Sequence, residues 1–323
     1  MRKILTLQDY LDGFKNKDRT ILGRAITLVE SSHPDHQKLA QELITKLLPE
    51  TGNSKRLGIS GTPGVGKSTF IEAFGKFLTS QGHKVAVLAV DPTSQVSGGS
   101  ILGDKTRMNE LAIDPLAFIR PSPSGETLGG VARRTRETLL LCEAFGFDYV
   151  LVETVGVGQS ETAVAQMVDI FVMLLQPGAG DDLQGIKRGI LEMVDMVVVT
   201  KDDGDNQKVI QKAKHDYQKA LEILRHDTGY IPSVLSCSAV TRSGLPEVAS
   251  AIETFLNERK EKIAKRRKDQ NVEWMMSLIH EGLTQLFHEN VSASEIEKMK
   301  ASLLNNSITA PIAASSLLKS FMK

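Results

Sequence analysis

Gly61-Thr62-Pro63-Gly64-Val65-Gly66-Lys67-Ser68 follows the apolar run Leu57–Ser60 and leads into a helix-like segment, Ser68–Ser80. Every fixed position of a G-x-x-x-x-G-K-[ST] loop is filled, in the strand–loop–helix setting that such a loop requires. Gly61, Gly64 and Gly66 let backbone N–H groups turn inward around phosphate oxygens without Cβ clashes. The helix starting near Lys67 adds the positive end of its dipole. Lys67 is placed to reach the β- and γ-phosphates of a nucleoside triphosphate, and the Ser68 hydroxyl to ligate Mg²⁺. Thr62, Pro63, Val65 and Thr69 complete the stretch expected to line the phosphates.

Outward from this loop, short apolar runs alternate with longer helix-like segments. The runs are Leu57–Ser60, Val85–Val90, Ala117–Ile119, Tyr149–Val152, Ile170–Leu175, Met196–Val199 and Val234–Cys237. They are rich in Val, Ile and Leu without polar alternation, as parallel strands covered on both faces should be. Between them, Thr127–Ala144, Ile186–Met193 and Asn206–Arg225 read as helices. The pattern predicts a doubly wound α/β domain with a mostly parallel sheet, over residues 53–257. Residues 1–52 read as a small helical extension broken at Pro34, and residues 258–323 as a helical arm. Within the arm, Val272–Phe287, Ser292–Leu304 and Ile312–Met322 are the expected helices, the second opened by a capping box of Ser292 and Glu295. The face around Trp274, Met275, Leu278, Ile279, Leu283 and Leu286 is broad and apolar, and must be covered by the chain's own core or by a partner.

Composition narrows the function. Among 323 residues, 39 basic side chains cancel 39 acidic ones, so neither nucleic acid nor an anionic membrane is an expected partner. Two cysteines, Cys142 and Cys237, are too few for a disulfide framework and suit a reduced cytoplasm. Cys142, among leucines and Ala144, reads as core. No run approaches the length of a membrane span, and Met1–Tyr10 lacks the apolar continuity of a signal segment.

Two strands end in carboxylates, Asp91 and Glu153, at the sheet edge where ligands of open α/β folds bind. Both suit a hard cation that prefers oxygen ligands. Glu153-Thr154-Val155-Gly156 looks like the D-x-x-G element of GTPases with the acid one methylene longer, so the Gly156 amide would sense a γ-phosphate. Thr200-Lys201-Asp202-Asp203 ends another strand and is close to the N-K-x-D of GTPases. Asp203 can accept from guanine N1–H and the 2-amino group together; adenine offers neither donor and would leave the carboxylate unpaired. The Lys201 stem can cover the base plane. Thr200 stands where that motif has Asn, whose side chain braces the loop. Ser236-Cys237-Ser238-Ala239 reads as a second base loop.

With these pieces the chain resembles the methylmalonyl-CoA mutase-associated GTPases, the MeaB/ArgK family, which look like relatives of the nickel-insertion GTPases. The resemblance covers nearly the whole chain. It is strongest in Asp91-Pro92-Thr93-Ser94, in Gly98-Gly99-Ser100-Ile101-Leu102-Gly103-Asp104-Lys105-Thr106-Arg107-Met108 and in Glu153 through Glu161. It continues in Gln176-Pro177-Gly178-Ala179-Gly180-Asp181-Asp182-Leu183-Gln184-Gly185-Ile186-Lys187. The resemblance implies that these segments are nucleotide-sensing switches and that Asp91, Asp104 and Glu153 join Ser68 around Mg²⁺. It implies that Gln176–Lys187 reports nucleotide state to an adenosylcobalamin-dependent acyl-CoA mutase. It also implies homodimers joined through C-terminal helices, and a role in protecting the mutase and gating its cofactor loading. Glu126 stands where the family has a small residue.

In the Gly- and Ser-rich stretch Ser97–Gly103 the residues themselves suggest a loop that can fold onto Mg²⁺ and γ-phosphate. Arg107 or Lys105 would neutralise charge on the transferring phosphoryl group, and Gln159 would orient water. The expected reaction is GTP to GDP and phosphate. The alternatives are a P-loop kinase acting on a periplasmic amino-acid transport protein and a metallochaperone GTPase. His33-Pro34-Asp35-His36 reads as a helix start, not a metal site. Arg259–Lys268, with seven basic residues and one acid, reads as a solvated helix or linker.

Overall fold

A computed structural model describes residues 5–90, 108–121, 128–154, 160–177, 188–225 and 229–322. Seven strands form one parallel sheet: β1 (Lys55–Gly61), β2 (Val85–Val90), β3 (Ala117–Arg120), β4 (Tyr149–Thr154), β5 (Ile170–Leu175), β6 (Met196–Val199) and β7 (Ser233–Ser236). Their order is β3-β2-β4-β1-β5-β6-β7. Leaving β1, the chain moves to one side through β2 and β3, returns to β4, then crosses to β5 on the other side. The reversal falls at β1, which opens a crevice at the carboxyl end of that strand.

Among the described residues, the α-helices of the body are α1 (Leu7–Lys15), α2 (Arg19–Glu30), α3 (Pro34–Leu47), α4 (Lys67–Ser80), α5 (Asn109–Ala112), α6 (Leu128–Phe145), α7 (Ser160–Ala165), α8 (Arg188–Leu191), α9 (Gln207–Leu224) and α10 (Leu245–Glu258). Alternate strand residues feed two cores. Leu57, Ile59, Val85, Val87, Leu151, Val172 and Val198 pack on the face carrying Phe70 and Phe74 of α4 and Val248 and Ile252 of α10. Ala86, Leu88, Val150, Val152, Phe171, Met173 and Val197 pack on the other, with α6, α7 and α9. Gly58 keeps that second face close: a Cβ there would lie 2.8 Å from Phe171 and 2.9 Å from Val164. The doubly wound architecture expected from the alternating runs is thus the one observed, and Ser68–Ser80, Thr127–Ala144 and Asn206–Arg225 each match a helix to within two residues. Of Ile186–Met193, the described helical part is Arg188–Leu191.

The N-terminal helices share the α6 face, contributing Tyr10, Phe14, Leu22, Ile26 and Leu43 to the same core. The His33-Pro34 start is a cap: His33 Nδ1 accepts the Asp35 N–H at 3.3 Å, with Pro34 in the first turn. Cys142 is buried in this core, and burial pushes its thiol pKa up.

The body ends at Arg267, and residues from Lys268 form a second unit. One helix, α11 (Lys260–Asn290), runs through that boundary; α12 (Ala293–Leu304) and α13 (Ala310–Phe321) follow. In the second unit Ser292 and Glu295 make the anticipated reciprocal cap, and Phe287 meets Phe321 with ring centroids 5.8 Å apart.

The structure corrects the reading of Arg259–Lys268 as solvated. Arg267 pairs with the buried Asp169 at 2.6 Å, Arg266 with Asp195 at 2.8 Å, and the Arg259 guanidinium lies 4.0 Å over the Tyr230 ring. Asp169 and Asp195 precede β5 and β6 and also accept the Arg56 and Phe171 N–H groups. Two buried carboxylates demand partners, and the first turns of α11 supply them. Helix α11 therefore begins well before the expected Val272, at Lys260. Its opening turns carry few apolar residues and give no periodic signal.

Candidate nucleotide site

The phosphate loop joins β1 to α4 at the switch point. Gly61 is required by close approach: a Cβ there would lie 2.6 Å from the Leu174 carbonyl. Gly66 caps α4 with φ 96°, a left-handed backbone that frees the first N–H groups of the helix toward the crevice. Within this loop the Lys67 ammonium donates to the Gly61 carbonyl at 2.8 Å and the Thr62 carbonyl at 3.3 Å. Burial pushes the Lys67 pKa down, while the Glu153 and Glu161 carboxylates pull it back up. Thr62 Oγ1 is buried with no hydrogen-bond partner among the described residues. An orphaned donor beside an ammonium and a helix N-terminus fits a phosphate oxygen.

Ser68 Oγ donates to Glu153 Oε1 at 3.1 Å, so the first turn of α4 and the tip of β4 converge. Hydroxyl and carboxylate oxygens at one point form a donor set suited to a hard cation such as Mg²⁺. Glu161, at the start of α7 and the end of the Glu153–Glu161 run, is buried with its charge acting on Lys67, a role the sequence did not assign; it accepts a hydrogen bond from the Ser160 hydroxyl at 3.3 Å. Asp91, Asp104, Lys105, Arg107, Glu126, Gly156 and Gln159 lie outside the described residues.

Adjacent strands β6 and β7 bring the two base loops together. Ser238 Oγ donates to Asp203 Oδ2 at 2.6 Å, fixing the carboxylate expected to face a base. The same oxygen accepts the Val240 and Thr241 N–H groups, and Ala239 lies within this turn. The Asp202 N–H reaches the Cys237 carbonyl at 3.1 Å. Burial pushes the Cys237 thiol up to about 12, so this cysteine is packing, not a nucleophile.

Thr200, the departure from Asn, braces the loop after all. Its hydroxyl donates to the Val65 carbonyl of the phosphate loop at 2.8 Å, and its N–H to the Leu175 carbonyl at the same distance. Lys201 Nζ donates to the Gly64 carbonyl at 3.2 Å and to Gln176 Oε1 at 3.1 Å. The sequence marked Gln176 only as the start of the Gln176–Lys187 run and gave no signal for this contact with Lys201.

A phosphate loop at the switch point of a parallel sheet, facing two base loops, defines a P-loop nucleotide hydrolase of the GTPase class. The model for "Methylmalonyl Co-A mutase-associated GTPase MeaB" matches residues 22–292, and the chain belongs to this family of P-loop GTPases. The chain is 52% identical to GTPase ArgK of Escherichia coli (strain K12), over 84% of this chain and 82% of the relative. It is 45% identical to the mitochondrial methylmalonic aciduria type A homolog of Mus musculus, over 98% and 83% respectively. A crystal structure described as LAO/AO transport system kinase superposes with a TM-score of 0.79 at 40% identity, covering all of both chains. No helix among the described residues is long and apolar enough to cross a membrane, and none of their His, Cys, Asp and Glu side chains form a metal-holding group of three or more.

Proposed function

We propose that the protein is a Mg²⁺-dependent GTPase that chaperones an adenosylcobalamin-dependent methylmalonyl-CoA mutase, assisting cofactor loading and protecting the loaded enzyme in the cytoplasm. The observation that carries the mutase assignment is the family match over residues 22–292, whose description names that enzyme. The likeness to the mouse methylmalonic aciduria type A homolog over 98% of this chain supports it.

Phosphoryl transfer to water is mostly positioning and electrostatics. The N–H groups of the phosphate loop and the α4 N-terminus receive the phosphates. Lys67 exchanges two neutral carbonyl acceptors for charged phosphate oxygens, which bind an ammonium more strongly. Thr62 supplies a further hydroxyl donor. Ser68 and Glu153, with Asp91 and Asp104, would hold Mg²⁺, which when bound neutralises charge on the phosphate oxygens. Gly156 reads the γ-phosphate through its N–H, Arg107 stabilises charge as the phosphoryl group leaves, and Gln159 orients water. Asp203, held by Ser238, accepts the two guanine donors.

The arm supports a proposal for assembly. Val272, Met276, Ile279, Leu283 and Leu286, spaced four, three, four and three residues apart on α11, form an exposed heptad-type stripe. Such a stripe suits a homodimer joined through the C-terminal helices.

Incubation with γ-labelled GTP, with and without a cobalamin-dependent mutase, tests the proposal. It predicts label released as free phosphate, several-fold faster with the mutase. Label transferred to a transport protein would instead support the kinase reading, which the description of the crystal structure at TM-score 0.79 favours.

A further inference from the structure

Lys201 has a backbone that its side chain type resists: φ is 61°, in the left-handed region, which costs a non-glycine residue about 1 kcal/mol. The loop holds it there. On one side Thr200 is fixed to Leu175 and Val65; on the other, Asp202 is fixed to Cys237. Strain of this kind at a ligand loop persists where the side chain's direction matters. The Lys201 side chain then crosses from the base loop to two acceptors, the Gly64 carbonyl and Gln176 Oε1.

Gln176 is itself anchored. It follows directly on β5, and its backbone carbonyl accepts the Tyr217 hydroxyl from α9 at 3.1 Å. Tyr217 is 2% exposed, so this anchor is part of the core. Because an ammonium can only donate, the amide oxygen, not the nitrogen, must face Lys201. The chain of contacts runs from the α9 core through Gln176 to the Lys201 ammonium, and from there to the phosphate loop.

We propose that Gln176 is a positioning residue for guanine recognition: it holds the Lys201 ammonium so that the aliphatic stem is laid against the face of the base. The proposal rests on the guanine reading of Thr200–Asp203 and deepens it. A long lysine side chain loses rotamer freedom when it covers a base, and an acceptor at its tip reduces that loss on binding. The Lys67 side of the site, where chemistry occurs, is held by other partners, so Gln176 should act on binding and not on turnover.

The test is calorimetry with GDP and Mg²⁺, alongside steady-state GTP hydrolysis, on the full chain and two variants. Gln176→Leu removes the acceptor; Gln176→Glu keeps an oxygen at the same place. The expected result is a GDP Kd and a GTP KM raised about three- to tenfold in the leucine variant, the worth of one exposed charge-assisted hydrogen bond, with kcat within about twofold. The glutamate variant should bind as the parent does. If the leucine variant fails to fold, Gln176→Met, also without an acceptor, is held to the same outcome. Unchanged Kd and KM, a fall in kcat equal to the rise in KM, or a glutamate variant as weak as the leucine one would each overturn the proposal. A parent protein that binds no GDP would instead sink the guanine reading itself.

Discussion

At Thr200 a hydroxyl does the bracing that an asparagine side chain does in the related GTPase motif. Its bond to the Val65 carbonyl ties the base loop to the phosphate loop inside a buried setting. Thr200→Val should cost about 1 kcal/mol in urea unfolding, because the Val65 carbonyl stays buried without this donor, whereas Thr200→Ser should cost little of that. Equal stability of the valine and serine variants would remove the brace. Lys67→Ala should abolish GTP hydrolysis with thermal melting unchanged, and retained turnover would dismiss its role. Asp203→Asn should move preference from GTP toward xanthosine triphosphate, since an amide can donate to a 2-oxo group; a surviving GTP preference would assign the base to another residue. At this scale the sequence was legible where spacing fixes geometry, as in Lys67, Ser68 and Asp203. It marked Gln176 and Glu161 only as ends of longer runs and was silent on their contacts with Lys201 and Lys67, which come from distant strands and helices.

The strands and most helices could be read because each apolar run must be buried on both faces. The opening of α11 could not, since its stabilisation comes from charge. Arg267 satisfies Asp169 and also donates to the Gly52 and Ser54 carbonyls at 2.6 Å each. Arg267→Met should therefore destabilise the body by about 3 kcal/mol in chemical denaturation, as it leaves a buried carboxylate short of its cation. A loss below about 0.5 kcal/mol would class the pair with ordinary surface bridges.

A second element-level pairing sets a pH dependence. Burial alone would raise the Asp114 pKa, but hydrogen bonds from Lys76, the Leu116 N–H and the Thr79 hydroxyl hold it below the usual carboxylate range. The unfolded carboxyl takes up its proton at higher pH than the folded one. The stability this contributes is complete above about pH 5 and is lost as pH falls through the depressed value. Unfolding free energies of the parent and Asp114→Asn should thus differ most at neutral pH and converge on acidification. A constant difference would contradict this.

For the whole molecule, the two sides of the sheet divide the labour. The carboxyl edge gathers Lys67, Ser68, Glu153, Thr200 and Asp203, while the opposite edge, through Asp169 and Asp195, secures the root of α11. The apolar periodicity of that helix was visible in the sequence. Whether a core or a partner covers it was not, because both require the same side chains. Its exposed stripe predicts that Met276→Asp combined with Leu283→Asp converts a dimer to a monomer in sedimentation velocity with intrinsic GTP hydrolysis retained. A double variant sedimenting as the parent does would place the interface elsewhere.

The account depends on a guanine nucleotide held between the phosphate loop and the Asp203 carboxylate. Titration calorimetry of the full chain with a non-hydrolysable GTP analogue and its ATP counterpart, both with Mg²⁺, tests this most directly. The account predicts saturable heat with the GTP analogue and binding of the ATP analogue at least about a hundredfold weaker, the cost of leaving a buried polar group unpaired. Equal affinity for both, or no heat from either with a well-folded protein, would contradict it.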